Sequence, residues 1–270
     1  ELHKGVDVPK APFLGHRLIE QVGIKALLPY LNERMLYQFH WGYRKRGRPL
    51  AEYMKWARTE IKPILLDLVA RCEAEDILRP QAVYGYFPAA SDGDDLVLYD
   101  PASDDEVARF SLPRQNRAGG LCIADFFREA ATGERDIIAL QAVTIGQHAS
   151  EVARQWFDDD HYQDYLYLHG LGVEMAEAMA EYVHKRIRGE LGFGDQDARD
   201  NDALLNQGYR GSRYSFGYPA CPTMSDQRKI LTLLDADRIG LVMGDEDQLH
   251  PEQSTSAIIV HHPQAKYFSV

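Results

Sequence analysis

Residues 210–222, Arg-Gly-Ser-Arg-Tyr-Ser-Phe-Gly-Tyr-Pro-Ala-Cys-Pro, bring two arginines, two glycines, two prolines and three aromatic rings into one short stretch. Together these types can recognise a small ligand; they do not suggest bond cleavage. A guanidinium can clamp a carboxylate through two parallel N–H bonds. Glycine lets the main chain come close to what is bound, and tyrosine offers an apolar face with a polar tip. The set suits a zwitterionic or nucleoside ligand, and a surface crossover with an incidental arginine is the plainer reading of the same residues. Because proline lacks a donor and glycine resists ordering, the stretch is expected as a loop, not as helix or central strand.

Other chemistries find less support. No serine or cysteine sits in a nucleophile signature. Gly170-Leu171-Gly172 lacks the third glycine and the preceding strand of a dinucleotide fingerprint. His261 and His262 are consecutive in an expected strand, so they would point to opposite faces and could not share a metal. No catalytic and no metal-ligating residue is expected.

The elements that must position the loop can be read from periodicity. Segment 24–41 places Leu27, Leu28, Leu31, Met35 and Phe39 at three- and four-residue steps, which predicts helix with a break near Pro29. There Asn32 and Glu33 could meet a ligand. Segment 49–78 predicts a long amphipathic helix kinked or split at Pro63. Segments 83–87, 96–99 and 107–112 read as an antiparallel meander, and 137–145 as a further buried strand. A short helix is expected at 123–128, and longer ones at 149–157 and 162–191. In the last, Val173, Ala176, Ala180, Val183 and Ile187 form an apolar stripe with Glu177 at its margin. Residues 192–202 read as a loop. A helix at 226–234 with Ser225 as N-cap and strands at 241–243, 256–262 and 267–270 complete the list. The fold class expected is α+β: a single domain with a twisted, mainly antiparallel sheet flanked by helices. Residues 1–17 are expected as an extended lead-in or linker and 18–270 as the domain itself.

Thirty basic against 41 acidic residues give a formal charge of −11, which argues against a nucleic-acid partner. Three cysteines without short spacing suggest a reducing, cytoplasmic setting, and no apolar run has membrane-spanning length. Against this acidic background Arg44, Lys45, Arg46 and Arg48 form a basic cluster, a solvated loop or a dock for an acidic partner.

Residues 213–222 resemble the Arg-x-x-x-Gly-Tyr-x-Ala-Cys-Pro signature of the activation domain of cobalamin-dependent methionine synthase. Four further stretches resemble that family in the same order: Tyr84-Gly-Tyr-Phe-Pro; Leu121-Cys-Ile-Ala-Asp-Phe; Ala176-Glu-Ala-Met-Ala-Glu-Tyr-Val-His-Lys-Arg-Ile-Arg; and His250-Pro-Glu-Gln-Ser-Thr-Ser leading to His262-Pro-Gln-Ala-Lys-Tyr-Phe. The resemblance implies a domain that binds S-adenosylmethionine and presents its methyl group for reductive methylation of cob(II)alamin. Cobalamin would sit on a neighbouring module, and flavodoxin or a similar reductase would supply the electron. It also implies roles for individual residues. Arg213 would bind the donor's carboxylate, Glu177 polar groups of the ligand, and Ser215 would approach it through its backbone. Gly217 would keep the loop slim, and Tyr218 and Tyr267 would line the site. Asn32 stands where the family carries aspartate, which removes a charge. Asp159-Asp160-His161-Tyr162-Gln163-Asp164 approaches a histidine-ligand motif for cobalamin but has Asp164 in place of its glycine. A domain that docks and caps a corrinoid module, binding little S-adenosylmethionine of its own, is the alternative.

Overall fold

The computed structural model describes residues 2–270. In chain order the elements are β1 (Gly15–Ile19), α1 (Ile24–Leu27), α2 (Glu33–Met35), α3 (Leu50–Glu60), α4 (Lys62–Ala74), β2 (Gln81–Asp92), β3 (Asp95–Tyr99), β4 (Glu106–Ser111) and β5 (Asp136–Thr144). There follow α5 (Gln147–Asp158), α6 (Tyr162–Glu190), α7 (Asn201–Leu205), β6 (Ser212–Ser215), α8 (Gln227–Leu234), β7 (Val242–Met243), β8 (Leu249–His250) and β9 (Ser254–Val260). Seven strands make one sheet in the order β4-β3-β2-β5-β9-β6, with β1 added beside β2, and every pairing is antiparallel. The fold class is α+β, as expected.

Two-residue alternation along β5 divides the core. Ile137, Ala139 and Val143 face the layer built from α1 to α6, while Ile138, Leu140 and Ala142 face the layer that contains α8. With both faces covered, every residue of β5 is buried, so its run reads as continuously apolar instead of alternating.

Several expectations change. Gly15–Arg17, the end of the expected lead-in, belong to β1. The strand fits because Gly85 opposes it: a Cβ there would lie 2.0 Å from the carbonyl oxygen of Gly15. Tyr84 and Tyr86, on either side of this glycine, donate hydroxyls to the two carboxylate oxygens of Glu190 at 2.9 and 2.8 Å. The Tyr-Gly-Tyr motif therefore clamps the end of α6 to the sheet.

Of the two outcomes expected at Pro63 the split is the one found: Pro63 lies in the first turn of α4, where a missing N–H costs nothing, so a second helix starts there. Within 210–222, Ser212–Ser215 is an edge strand paired with β9, which the absence of proline before position 219 allows. His261 and His262 lie just beyond β9, and residues 267–270 form no strand. Ser225 does not cap α8; it lies inside a 3-10 turn that leads into the helix. Val242–Met243 pairs only with β8, in a separate ribbon. Among the described residues no helix is long and apolar enough to cross a membrane.

Candidate functional site

The site is built on α6. Of the expected stripe, Ala176, Ala180, Val183 and Ile187 enter the core, whereas Val173 at its start is only half-buried. A second stripe lies one residue further on: Glu174, Glu177, Glu181, His184 and Arg188, again at alternating three- and four-residue steps. All of these except Glu177 are buried. Polar groups in such a place need partners, and each finds one outside the helix. His40 Nε2 lies 3.0 Å from Glu174 Oε1. Arg188 donates to both oxygens of Asp197 at 2.7 Å. The middle of the stripe is met by Arg213.

Alternation along β6 turns Tyr214 into the core on the α8 side, which sends Arg213 and Ser215 toward α6. Arg213 Nη1 lies 3.0 Å from Glu181 Oε1 and donates toward His184 Nδ1 at 3.5 Å, while its Nη2 is 3.7 Å from Glu177 Oε2. The side chains of Arg213 and Glu181 are 13% and 11% exposed, whereas that of Glu177 is 52% exposed. Burial works to lower the basicity of Arg213, but Glu181 and Glu177 hold it above the ordinary value. Burial, together with the charges of Arg188, Arg213 and Lys266, keeps His184 well below the usual histidine range. The arrangement is a fixed cation with one firm and one loose anionic neighbour. It can exchange the loose one for the carboxylate of a ligand.

Beyond β6 the chain turns back on itself: Gly217 N donates to Cys221 O, and Cys221 N to Tyr218 O, each at 3.0 Å. Gly217 has φ of +89°, a left-handed conformation that only glycine adopts freely. The turn projects Tyr218 into solvent, and its ring meets that of Tyr267 edge-on at 6.4 Å. Tyr267 is carried by a terminal segment tied down through Lys266, whose Nζ donates to Tyr209 O at 2.7 Å and whose carbonyl accepts from Tyr214 Oη at 2.8 Å. Ser215 ends β6, and its carbonyl accepts the Cys221 thiol.

The structure thus brings together Glu177, Arg213, Ser215 and Gly217 on adjoining elements and pairs Tyr218 with Tyr267. Arg210 is turned elsewhere: its Nε donates to His261 O at 2.9 Å and its guanidinium covers Phe193. Asn32 makes no hydrogen bond to Arg213 or Glu177. It is the N-cap of α2, with Oδ1 accepting from Met35 N at 3.0 Å. Its segment runs antiparallel along α6, with Tyr30 against Tyr182 at one end and His40 against Glu174 at the other. Asn32 itself lines a cleft with Lys25, Arg58, Lys62 and Asn201, so the structure does not bring it against Arg213 or Glu177.

Glu181, His184, Tyr209 and Lys266 were not singled out from the sequence. The 4-3-4 spacing of Glu177, Glu181, His184 and Arg188 was the available signal, because four polar residues on one helical face beside an apolar stripe need either solvent or partners. Among the described residues no cluster of His, Cys, Asp or Glu could hold a metal.

Comparison with known proteins identifies the family. Residues 60–270 match the family model described as "Vitamin B12 dependent methionine synthase, activation domain". The chain is 44% identical to a methionine synthase of Mycobacterium tuberculosis and 43% identical to that of Mycobacterium leprae, in each case over 98% of the chain and 23% of the relative. It spans less than a quarter of the length of these relatives. A crystal structure of the MetH reactivation domain bound to AdoHcy superposes with a TM-score of 0.85 at 26% identity, covering 98% of this chain and 83% of that one. The chain belongs to the family of vitamin B12-dependent methionine synthase activation domains.

Proposed function

We propose that this chain binds S-adenosylmethionine and presents its methyl group for reductive methylation of cob(II)alamin in a cobalamin-dependent methionine synthase. The observation that carries the reading is Arg213, a largely enclosed cation whose Nη2 lies 3.7 Å from a half-exposed glutamate. Its fork is set for a carboxylate such as that of the donor's methionyl end. The similar reactivation domain has AdoHcy bound, the demethylated form of the same ligand.

In this reading Arg213 binds the carboxylate, and Glu177 accepts hydrogen bonds from the ligand's polar groups. Ser215 and Gly217 offer main chain at close range, and Tyr218 and Tyr267 flank the methyl-transfer side. Asn32 meets the ligand from across α6; its Oδ1 already serves as a helix cap, so its contact is weaker than a free aspartate would make. The donor supplies the methyl group and the chain supplies orientation. Cobalamin is held by a neighbouring module of the same synthase, in the cytoplasm. Flavodoxin or a similar acidic reductase delivers the electron, and the exposed cluster Arg44, Lys45, Arg46 and Arg48 is where it docks.

Calorimetric titration tests the assignment. The chain is expected to bind S-adenosylmethionine, and Arg213→Lys, which keeps the charge but loses the fork, is expected to bind about tenfold more weakly. Absence of binding by the unaltered chain would remove the reading in favour of a capping domain. Equal binding by the variant would remove Arg213 from the site.

A further inference from the structure

We infer that Glu181, supported by His184, is a positioning residue that fixes the Arg213 guanidinium so that its outer nitrogen is left for the ligand's carboxylate. The inference rests on the proposed role of Arg213 and assigns that role a mechanical basis.

Arginine has donors only, so its orientation is set by the acceptors around it. Two acceptors meet Nη1, Glu181 Oε1 at 3.0 Å and His184 Nδ1 at 3.5 Å. Because Arg213 can only donate, a bond to His184 Nδ1 requires that nitrogen to be unprotonated, which puts the ring proton on Nε2, buried without a hydrogen-bond partner among the described residues. The surroundings enforce this neutral form. His184 is fully buried, with Arg188, Arg213 and Lys266 near it, and its ring meets the Tyr209 ring edge-on at 4.8 Å. The other face of this support is closed by Arg188, whose guanidinium lies 4.1 Å from the Tyr209 ring centre.

Nη2 has a different environment. Its nearest anion is Glu177, at 3.7 Å and 52% exposed, free to swing into water. Glu181 has no such freedom: its side chain is 11% exposed, and Oε2 is already buried without a partner among the described residues. The two glutamates, one helical turn apart, therefore play different parts. Glu181 is the permanent counter-ion and Glu177 the exchangeable one. Holding Arg213 in a single rotamer before the ligand arrives removes the cost of ordering it from binding.

The test compares two ligands that differ in the group Arg213 reads: AdoHcy, which carries the carboxylate, and 5′-methylthioadenosine, which lacks it. Calorimetry on the complete chain is expected to show that Glu181→Gln weakens AdoHcy about tenfold, because the amide keeps an acceptor at Nη1 but loses the charge that holds the guanidinium. The same variant should leave 5′-methylthioadenosine within about twofold. Glu181→Asp keeps the charge but withdraws it from Nη1, and should give a smaller loss of the same selectivity. In the Arg213→Lys background, Glu181→Gln should add little. Equal weakening of both ligands, or of neither, by Glu181→Gln and Glu181→Asp would overturn the inference while leaving the proposed function standing. A wild-type chain that binds neither ligand overturns both.

Discussion

Arg188 and Asp197 are joined by two parallel hydrogen bonds of 2.7 Å, with side chains only 1% and 6% exposed. The pair closes the inner end of the polar stripe on α6 and ties the helix to the chain that leads into α7 and β6. Removing one partner would leave a charge in the core. Asp197→Asn is expected to destabilise the domain by about 3–5 kcal/mol, read as a lower urea midpoint. Asp94→Asn, which removes one exposed partner of Arg114 and leaves Asp125 in place, should change stability by less than about 1 kcal/mol.

The opposite end of the stripe predicts a pH dependence. Burial, with Glu177 adding to it, pushes the Glu174 carboxyl up to about 7 from an ordinary value of 4.5. Burial, with His169 adding to it, lowers the neighbouring His40. A protonated carboxyl donating to a neutral imidazole satisfies both. A folded-state value above the unfolded one gives stability that is complete below pH 4.5 and lost as pH rises through about 7. Stability measured from pH 4 to 8 should therefore show a decline in wild type that Glu174→Gln lacks, of up to about 3 kcal/mol. His40 titrates in the opposite sense, so the difference between the two proteins is the quantity to compare. Identical profiles would show that Glu174 ionises normally.

Gly85 predicts a local failure. A Cβ at this position would lie 2.0 Å from Gly15 O and 2.7 Å from His16 Cα, both backbone atoms that cannot step aside as a side chain can. Gly85→Ala should displace β1 from the sheet. Limited proteolysis would then cut the first nineteen residues from an otherwise folded domain, which the wild-type chain should resist.

The basic cluster predicts a salt effect. Arg44, Lys45 and Arg46 are exposed and make no ion pair with any described residue, so their field is free to steer an acidic partner. Under the proposed function, with flavodoxin as the electron donor, reversing all three to glutamate should slow electron delivery about tenfold or more at low salt and flatten its dependence on ionic strength. A salt dependence identical to that of wild type would exclude this loop as the dock.

Much of the framework was determined by the sequence alone, because it rests on local periodicity. Strands β2 to β4 follow from short runs rich in β-branched and aromatic residues, β5 from a continuous apolar run, and helix α6 from three- and four-residue steps. Arg213, Gly217 and Tyr218 stand out because turn chemistry and a clamp-forming side chain share one short segment. Only the tertiary structure decided which polar residues of α6 face inward, that Glu181 holds Arg213 firmly while Glu177 holds it loosely, and that Arg210 is engaged elsewhere. It also decided the short strands β1 and β6, whose residues carry too little apolar pattern of their own and are ordered by the edges they join. The physical reason is the same in each case. A helical or strand period is stored in neighbouring residues, whereas the partner that makes a buried charge or a sheet edge tolerable is supplied by a distant part of the chain and exists only once the layers have packed.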